Sequence, residues 1–301
     1  MLSVSDSAKK VSILVPTALL PRPLRVRSRE QLLSRLEVAI ARRAGLLIIG
    51  HPKSGNTWLK VMLARLYQVR HGFKASELIG SDELALRNPA IPRLAATNAV
   101  YSYEGAVGRI LAAGAPDDPL RHKPVMLLAR NPIDIAVSWF FQFTKRQSAH
   151  KQELINHFID HPIDRHTVDM WDFVRHSDIG LPFLIDYLNT WERNIGELEH
   201  AAIVRSEDLR SDTAATLTKI TVLMGVTCSA EEIAASDNHS RCENRSTLAT
   251  RGSVRRGGRR LPNADDPETF TVRRGKVGGY GDYFTEDQTA ELVELMMTRL
   301  S

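Results

Sequence analysis

Short uninterrupted runs of apolar residues, separated by polar loops, dominate the hydrophobic pattern of the chain. Residues 45–50 read GLLIIG and residues 125–129 read VMLLA, and such runs are typical of strands buried on both faces of a parallel sheet. After the polar loop at 51–58, apolar residues recur at helical spacing and share one face. These residues are Leu59, Met62, Leu63, Leu66 and Tyr67. The pattern therefore predicts a strand, a glycine-bearing loop and a helix in succession.

The N-terminal stretch combines two lysines with an apolar segment, as a targeting peptide does. Asp6 lies where such a peptide is positively charged, and Pro16 interrupts the apolar segment, so we interpret residues 1–27 as an N-terminal extension. From Ser28, a residue type that caps helices, apolar positions recur at helical spacing, which predicts a helix that starts there. Neither a linker nor an internal repeat divides the remainder, so residues 28–301 are predicted to form a single domain.

The loop between the first strand and its helix has the character of a phosphate-binding loop. Backbone N–H groups and the helix dipole favour an anion at such a junction. Gly50, Gly55 and Thr57 fit the template of ATP- and GTP-binding loops. The lysine of that template is missing, because Asn56 occupies its position and Lys53 lies three positions earlier. The loop therefore predicts phosphate binding but departs from that template.

The second predicted strand ends in a cation. A nucleotide triphosphatase needs an acid near this point to support Mg²⁺, whereas this chain has Arg130. Asn131 and Pro132 predict the first turn of a helix, which would carry Ser138 about two turns along, close enough to share a phosphate with Arg130. These residues favour phosphate neutralisation without a metal and disfavour Mg²⁺-dependent kinase chemistry.

Composition narrows the function classes further. The 301 residues are 43% hydrophobic and 25% charged, which is ordinary for a folded domain, and no apolar run approaches the ~20 residues that span a bilayer. The net charge of +5 is matched by the five arginines of residues 251–260, RGSVRRGGRR. This localised charge disfavours a nucleic-acid binder; the segment is either a solvated loop or a recruiter of an anionic acceptor or cofactor. Because the chain has only two cysteines, we expect a reducing, cytoplasmic location.

Three segments, in order along the chain, resemble sulfotransferases that use 3′-phosphoadenosine 5′-phosphosulfate (PAPS). They read PKSGNTW at 52–58, LLARNPIDIAVSWF at 127–140 and FTVRRGKVGGYGDYFT at 270–285. The resemblance implies an α/β fold whose central, mostly parallel sheet is flanked by helices, with a P-loop-like nucleotide-binding core. It also implies PAPS as co-substrate, 3′-phosphoadenosine 5′-phosphate (PAP) as product, and no metal. The implied cofactor-binding residues are Lys53, Ser54, Gly55, Asn56, Thr57, Trp58, Arg130, Ser138, Arg273, Arg274 and Gly275.

The resembled family transfers a sulfuryl group in line from PAPS to an acceptor oxygen or nitrogen. Lys53 would stabilise the negative charge that develops on the bridging oxygen of the leaving 5′-phosphate. Arg130 and Ser138 would bind the 3′-phosphate. Trp58 would stack on adenine, although core packing is an alternative role for it. We predict transfer to a hydroxyl, less readily to an amine, of a small-molecule acceptor.

The catalytic base departs from the family pattern. Many members carry a histidine after the strand between the first two segments, whereas this chain has Tyr103 there, followed by Glu104. We predict that Glu104 or Tyr103 is the base; a glutamate, with a reference pKa of about 4.3, is a weak base unless desolvation raises its pKa. The alternatives are a nucleotide- or polyanion-binding protein that has lost catalysis and a nucleotide kinase. Three histidines are expected to pack or to lie at the surface: His51, His71 and His122.

Other segments bear on adenine recognition and assembly. The segment AIVRSEDLR at 202–210 resembles the family, but Ser206 replaces the aromatic residue that usually touches adenine. A family dimerisation motif would fall at 281–290, where only Thr285 matches, so no oligomeric state is predicted. Four aromatic residues that follow Arg130 are expected to be mostly core, with one or two at the acceptor. They are Trp139, Phe140, Phe141 and Phe143.

Overall fold

The computed structural model of the protein describes residues 6–74, 81–97, 122–246 and 277–301. The strands in these ranges are β1, Leu46–Ile49; β2, Leu94–Thr97; β3, Val125–Ala129; and β4, Ala201–Arg205. The α-helices are α1, Asp6–Thr17; α2, Arg22–Ala41; α3, Asn56–Arg70; α4, Ser81–Arg87; α5, Pro132–Phe141; α6, Ala149–Phe158; α7, Met170–Arg175; α8, Leu181–Ile195; α9, Asp208–Ser211; α10, Thr213–Leu223; α11, Ala230–Ser246; and α12, Glu286–Arg299. A π-helical turn, Gln142–Arg146, follows α5, and a 3₁₀ turn, Gly279–Asp282, precedes α12.

The described strands form one parallel sheet in the order β2–β1–β3–β4. Leu47 of β1 pairs with Ala95 of β2 and with Val125 of β3, and Ala129 of β3 pairs with Arg205 of β4. Because all these strands run in the same direction, their carboxyl ends meet at one edge of the sheet, which is where ligands bind in open α/β folds. The predicted α/β fold, with a central parallel sheet flanked by helices, is confirmed.

Helices cover both faces of the sheet, which explains the uninterrupted apolar run of β1. Leu46 and Ile48 pack into a core with α3, α10 and α11, whereas Leu47 and Ile49 pack into a second core with α2 and α8. Successive side chains of a strand point to opposite faces, so both sets must be apolar. The predicted apolar face of α3 is buried as well, each residue being at most 2% exposed. It consists of Leu59, Met62, Leu63, Leu66 and Tyr67.

A further part of the core is formed by residues of helices, without a strand residue among those that the structure describes. Leu292 of α12 packs with apolar residues of α5 and α8, so the C-terminal helix rests on the helix that follows β3. The prediction that the aromatic residues after Arg130 are mostly core is confirmed, since Trp139, Phe141 and Phe143 are buried.

Helix α2 begins at Arg22 rather than at Ser28, so the predicted start was wrong. The start is marked by proline: Pro21 precedes the first turn and Pro23 lies within it. Proline suits these positions because the first N–H groups of a helix have no partner inside the helix and the proline φ angle is already helical. Helix α2 therefore runs through residue 28.

The N-terminal helices pack onto the rest of the chain. Ile13 and Leu14 of α1 lie against a small apolar cluster that includes Val26 of α2. Glu153 of α6 accepts hydrogen bonds from Arg25 and from Arg29, at 3.0 Å for Arg29 Nη1. In the described ranges, no helix is both long and apolar enough to cross a bilayer.

Candidate active site

The phosphate loop leaves the carboxyl end of β1 and enters α3 through two unusual backbone conformations. Lys53 has a φ of 84° and Gly55 a φ of 108°, both in the region that favours glycine. Gly50 begins the loop, and a Cβ atom there would lie 3.0 Å from the Leu128 carbonyl oxygen of β3. Among the described residues no side chain caps the first turn of α3. Its first N–H groups therefore remain available to an anion at the positive end of the helix dipole.

Three alternate residues of this junction bury polar atoms that have no hydrogen-bond partner among the described residues. They are Ser54 Oγ, Asn56 Oδ1 and Trp58 Nε1. Buried polar atoms are nearly always hydrogen-bonded in folded proteins, so a cluster of them at a phosphate loop indicates a polar ligand. Ser54 Oγ and Trp58 Nε1 can donate to the phosphate oxygens of a nucleotide, whereas Asn56 Oδ1 can only accept a hydrogen bond from a donor group.

The motif after β3 meets the loop directly. Arg130 Nη1 donates a hydrogen bond to the Lys53 carbonyl oxygen at 3.0 Å. Asn131 caps α5 by accepting hydrogen bonds from the N–H groups of Ile133 and Asp134, and Pro132 occupies the first turn. The predicted helix after Arg130 is therefore confirmed. Ser138 lies farther along this helix and is 8% exposed.

Asp134, which the sequence reading did not single out, joins α5 to the C-terminal part of the chain. Its carboxylate accepts hydrogen bonds from the Gly278 N–H at 2.9 Å and the Tyr280 N–H at 3.3 Å. Arg130 Nη2 lies 3.6 Å from the same carboxylate. The side chain is only 3% exposed. Its spacing four residues after Arg130, in the first turn of a predicted helix, was the available signal.

The turn after β4 contacts both the phosphate loop and the end of β3. Ser206 donates its N–H to the Ala129 carbonyl oxygen at 2.8 Å, and Glu207 Oε1 accepts a hydrogen bond from the Asn131 N–H at 2.8 Å. A Cβ atom on Gly55 would lie 2.6 Å from Ser206 Oγ. The segments after β1, β3 and β4 therefore lie against one another at the carboxyl edge of the sheet.

His51, at the start of the loop, is fully buried. Its ring makes an edge contact with Trp139 at 5.4 Å between centroids, and Nδ1 lies 2.9 Å from the Pro52 carbonyl oxygen. Burial lowers the pKa of His51 to about 3, so the ring is neutral at pH 7. The expectation that His51 packs beside the loop is confirmed, and so low a pKa makes it a poor proton acceptor.

Of the three histidines considered from the sequence, the remaining two also contact other side chains. His71 Nδ1 lies 3.0 Å from Asn88 Nδ2, and His122 Nδ1 lies 2.9 Å from Glu199 Oε2. Across the described residues, no group of three or more His, Cys, Asp and Glu side chains could hold a metal ion.

Several predicted site residues lie outside the described residues. Tyr103 and Glu104 belong to the segment that follows β2, and Arg273, Arg274 and Gly275 precede Gly278. The arginine-rich segment 251–260 also lies outside them. The structure therefore brings together the first two predicted motifs, and the roles of the remaining residues stay predictions.

The backbone at Gly55 predicts a measurable penalty for any side chain there. We expect Gly55→Ala to lower the free energy of unfolding by about 2 kcal/mol or more, because the new Cβ adds a contact with Ser206 Oγ to an unfavourable φ. Gly72→Ala is the matched control, since Gly72 also has a positive φ, of 67°, but no atom within 4 Å of its Cβ position. Urea unfolding of both variants measures the difference, and equal losses would contradict a tight contact at Gly55.

Comparison with known proteins agrees with this geometry. Residues 44–301 match the family model for the sulfotransferase domain. Cytosolic sulfotransferase 12 of Arabidopsis thaliana is 26% identical over 269 residues, which cover 84% of this chain and 76% of that protein. Sulfotransferase 6B1 of Danio rerio is 21% identical over 282 residues, which cover 92% and 85%, respectively.

Solved structures share the fold at lower identity. The crystal structure of mouse sulfotransferase SULT7A1 complexed with PAP has a TM-score of 0.51 at 17% identity, covering 84% of this chain and 82% of that one. A structure of retinol dehydratase with retinol and PAP has a TM-score of 0.53 at 18% identity, covering 85% and 81%. The fold is thus shared with these enzymes. Because the family match spans most of the chain, and as its three resembling segments predicted, the protein belongs to the sulfotransferase family and is a sulfotransferase.

Proposed function

We propose that this sulfotransferase moves a sulfuryl group from PAPS to a hydroxyl, less readily to an amine, of a small-molecule acceptor. The observation that carries the proposal is the hydrogen bond from Arg130 to the Lys53 carbonyl oxygen at 3.0 Å. It joins the loop after β1 to the strand end after β3, so the two predicted phosphate-binding motifs lie together, as binding of a single nucleotide requires. The buried donors Ser54 Oγ and Trp58 Nε1, which have no partner among the described residues, support the same ligand.

Different residues of the chain would bind different parts of the nucleotide. The first turn of α3 and the loop at 53–57 would bind the 5′-phosphosulfate through backbone N–H groups and hydroxyls. Arg130 and Ser138 would bind the 3′-phosphate, and a guanidinium is suited to this because it presents paired donors to phosphate oxygens. The Trp58 ring would stack on the adenine.

PAPS supplies an activated sulfuryl group, and the protein must stabilise the charge that the leaving phosphate acquires. We assign that task to Lys53, whose ammonium would neutralise the bridging oxygen as its bond to sulfur breaks. Glu104 or Tyr103 would accept the proton of the acceptor hydroxyl, and Arg273, Arg274 and Gly275 would add to the 3′-phosphate site. No step in this scheme uses a metal ion.

The relatives support a class of acceptor and a compartment. Two solved structures similar to this chain hold retinol or androsterone together with PAP, and both compounds carry a hydroxyl group. Three of the curated relatives are named cytosolic sulfotransferases, which supports a cytoplasmic location. We therefore propose a small hydroxylated acceptor in the cytoplasm, without a nucleic-acid partner.

The cofactor class is tested by calorimetric titration with PAP in the absence of metal, beside ATP with Mg²⁺. We expect the protein to bind PAP tightly and Arg130→Ala to bind it about 10- to 100-fold more weakly, since a charge-assisted hydrogen bond contributes about 1.5–3 kcal/mol. Arg193→Ala, which removes the same charge from an exposed position of α8, should bind PAP as the unaltered protein does. A preference for Mg·ATP, or no binding of PAP, would contradict the proposal and favour a kinase-like or non-catalytic role.

A further inference from the structure

A second arginine lies close to the nucleotide-binding residues. Arg210 belongs to α9, the short helix that follows β4, and its guanidinium carbon lies 5.1 Å from the centre of the Trp58 ring. A planar guanidinium at this distance makes a cation–π contact with an indole. Trp58 is in the first turn of α3, so Arg210 places a positive charge next to the helix end that carries the phosphate loop.

The turn after β4 brings Arg210 to this tryptophan. Ser206 is small and buried, and its hydroxyl lies against Gly55 of the loop. Arg210 follows about one helical turn later and reaches Trp58 from there. The chain thus offers a cation beside Trp58, at the edge of the sheet where β1, β3 and β4 end.

Arg210 and Arg130 influence each other electrostatically. Partial desolvation lowers the pKa of the Arg210 guanidinium, and the positive charge of Arg130 lowers that pKa further, while Asp134 and Glu207 act in the opposite direction. Both acids also accept backbone hydrogen bonds: Asp134 from Gly278 and Tyr280, and Glu207 from Asn131. The guanidinium groups of Arg130 and Arg210 therefore act on each other in one region and can offer paired N–H donors to a phosphate dianion, while the carboxylates of Asp134 and Glu207 offset part of their charge.

We propose that Arg210 is a cofactor-binding residue that, together with Arg130, binds the 3′-phosphate of the nucleotide and selects 3′-phosphorylated nucleotides over those without this group. The contact with the Trp58 ring holds the guanidinium in place for this task. The proposal rests on the proposed use of PAPS and adds to it a residue that determines specificity.

The experiment compares two nucleotides that differ only in the 3′-phosphate. Calorimetric titration of the full chain with adenosine 3′,5′-bisphosphate and with adenosine 5′-phosphate gives a ratio of dissociation constants. In Arg210→Ala we expect the bisphosphate to bind 10- to 100-fold more weakly, while 5′-phosphate binding changes less than threefold. Arg210→Lys keeps the charge without the planar group and should recover only part of the bisphosphate affinity. Arg193→Ala should leave the ratio unchanged.

Three results would overturn the role of Arg210. Unchanged bisphosphate affinity in Arg210→Ala would show that the residue takes no part in binding. An equal loss for both nucleotides would show that it only packs against Trp58. If the unaltered protein does not prefer the bisphosphate, the proposed function itself fails, and the role of Arg210 fails with it. Thermal unfolding of each variant checks that the fold is retained.

Discussion

Replacing Lys53 with alanine is expected to lower the turnover number about 100- to 1,000-fold, while the affinity for PAP falls far less. The reason is that the Lys53 ammonium would act on charge that develops only as the bond to the leaving phosphate breaks, and the loss of one such preorganised group typically has an effect of this size. Release of PAP from PAPS over a panel of hydroxylated and amino acceptors measures turnover, and calorimetry with PAP measures binding.

The role of the Lys53 side chain can be tested apart from the role of its backbone. Arg130 bonds to the Lys53 carbonyl oxygen, a contact that an alanine at this position keeps. The φ of 84° at Lys53 is unfavourable for alanine as well as for lysine, so Lys53→Gly is the matched variant that removes the side chain without that strain. Both variants should lose turnover alike. Full turnover in either one would contradict a role for the ammonium in the reaction.

The parts of the fold that follow from local chemistry could be predicted from the sequence. The apolar run of β1 requires burial on both faces, and Asn131 with Pro132 marks the start of α5; both signals lie within a few residues of what they specify. The start of α2 was misplaced because Ser28 is a good cap, whereas Pro21 and Pro23 set the start in fact. The sequence contains both signals, and the helix begins at the prolines because they come first along the chain.

The site is less predictable where its contacts join distant parts of the chain. Asp134 and Gly278 are 144 residues apart, and the approach of Ser206 to Gly55 depends on how β4 lies beside β3. An isolated aspartate in the first turn of a helix indicates only a favourable interaction with the helix dipole. The contact between Arg210 and Trp58 likewise requires the strand order. Pairings of this kind follow from the folded topology, which no short motif contains.

Replacing Asp134 with alanine is expected to lower the free energy of unfolding by about 3 kcal/mol. The buried carboxylate accepts hydrogen bonds from the Gly278 and Tyr280 N–H groups and lies beside Arg130. Without it, two backbone donors lose their partners, and each such loss costs about 1–3 kcal/mol. Affinity for PAP should fall as well, because Arg130 loses the carboxylate that orients it.

Two further variants show whether the effect comes from these contacts. Asp134→Asn keeps the shape and one acceptor oxygen, so its loss should be clearly smaller than that of alanine. Asp169→Ala removes an exposed carboxylate that accepts one backbone hydrogen bond, from the Asp172 N–H at 2.8 Å, and should cost about 1 kcal/mol as an ordinary helix cap. Urea unfolding, monitored by circular dichroism, gives the free energy of unfolding of all three variants. If Asp134→Ala costs no more than Asp169→Ala, the carboxylate does not join α5 to the C-terminal segment in the way that its hydrogen bonds indicate.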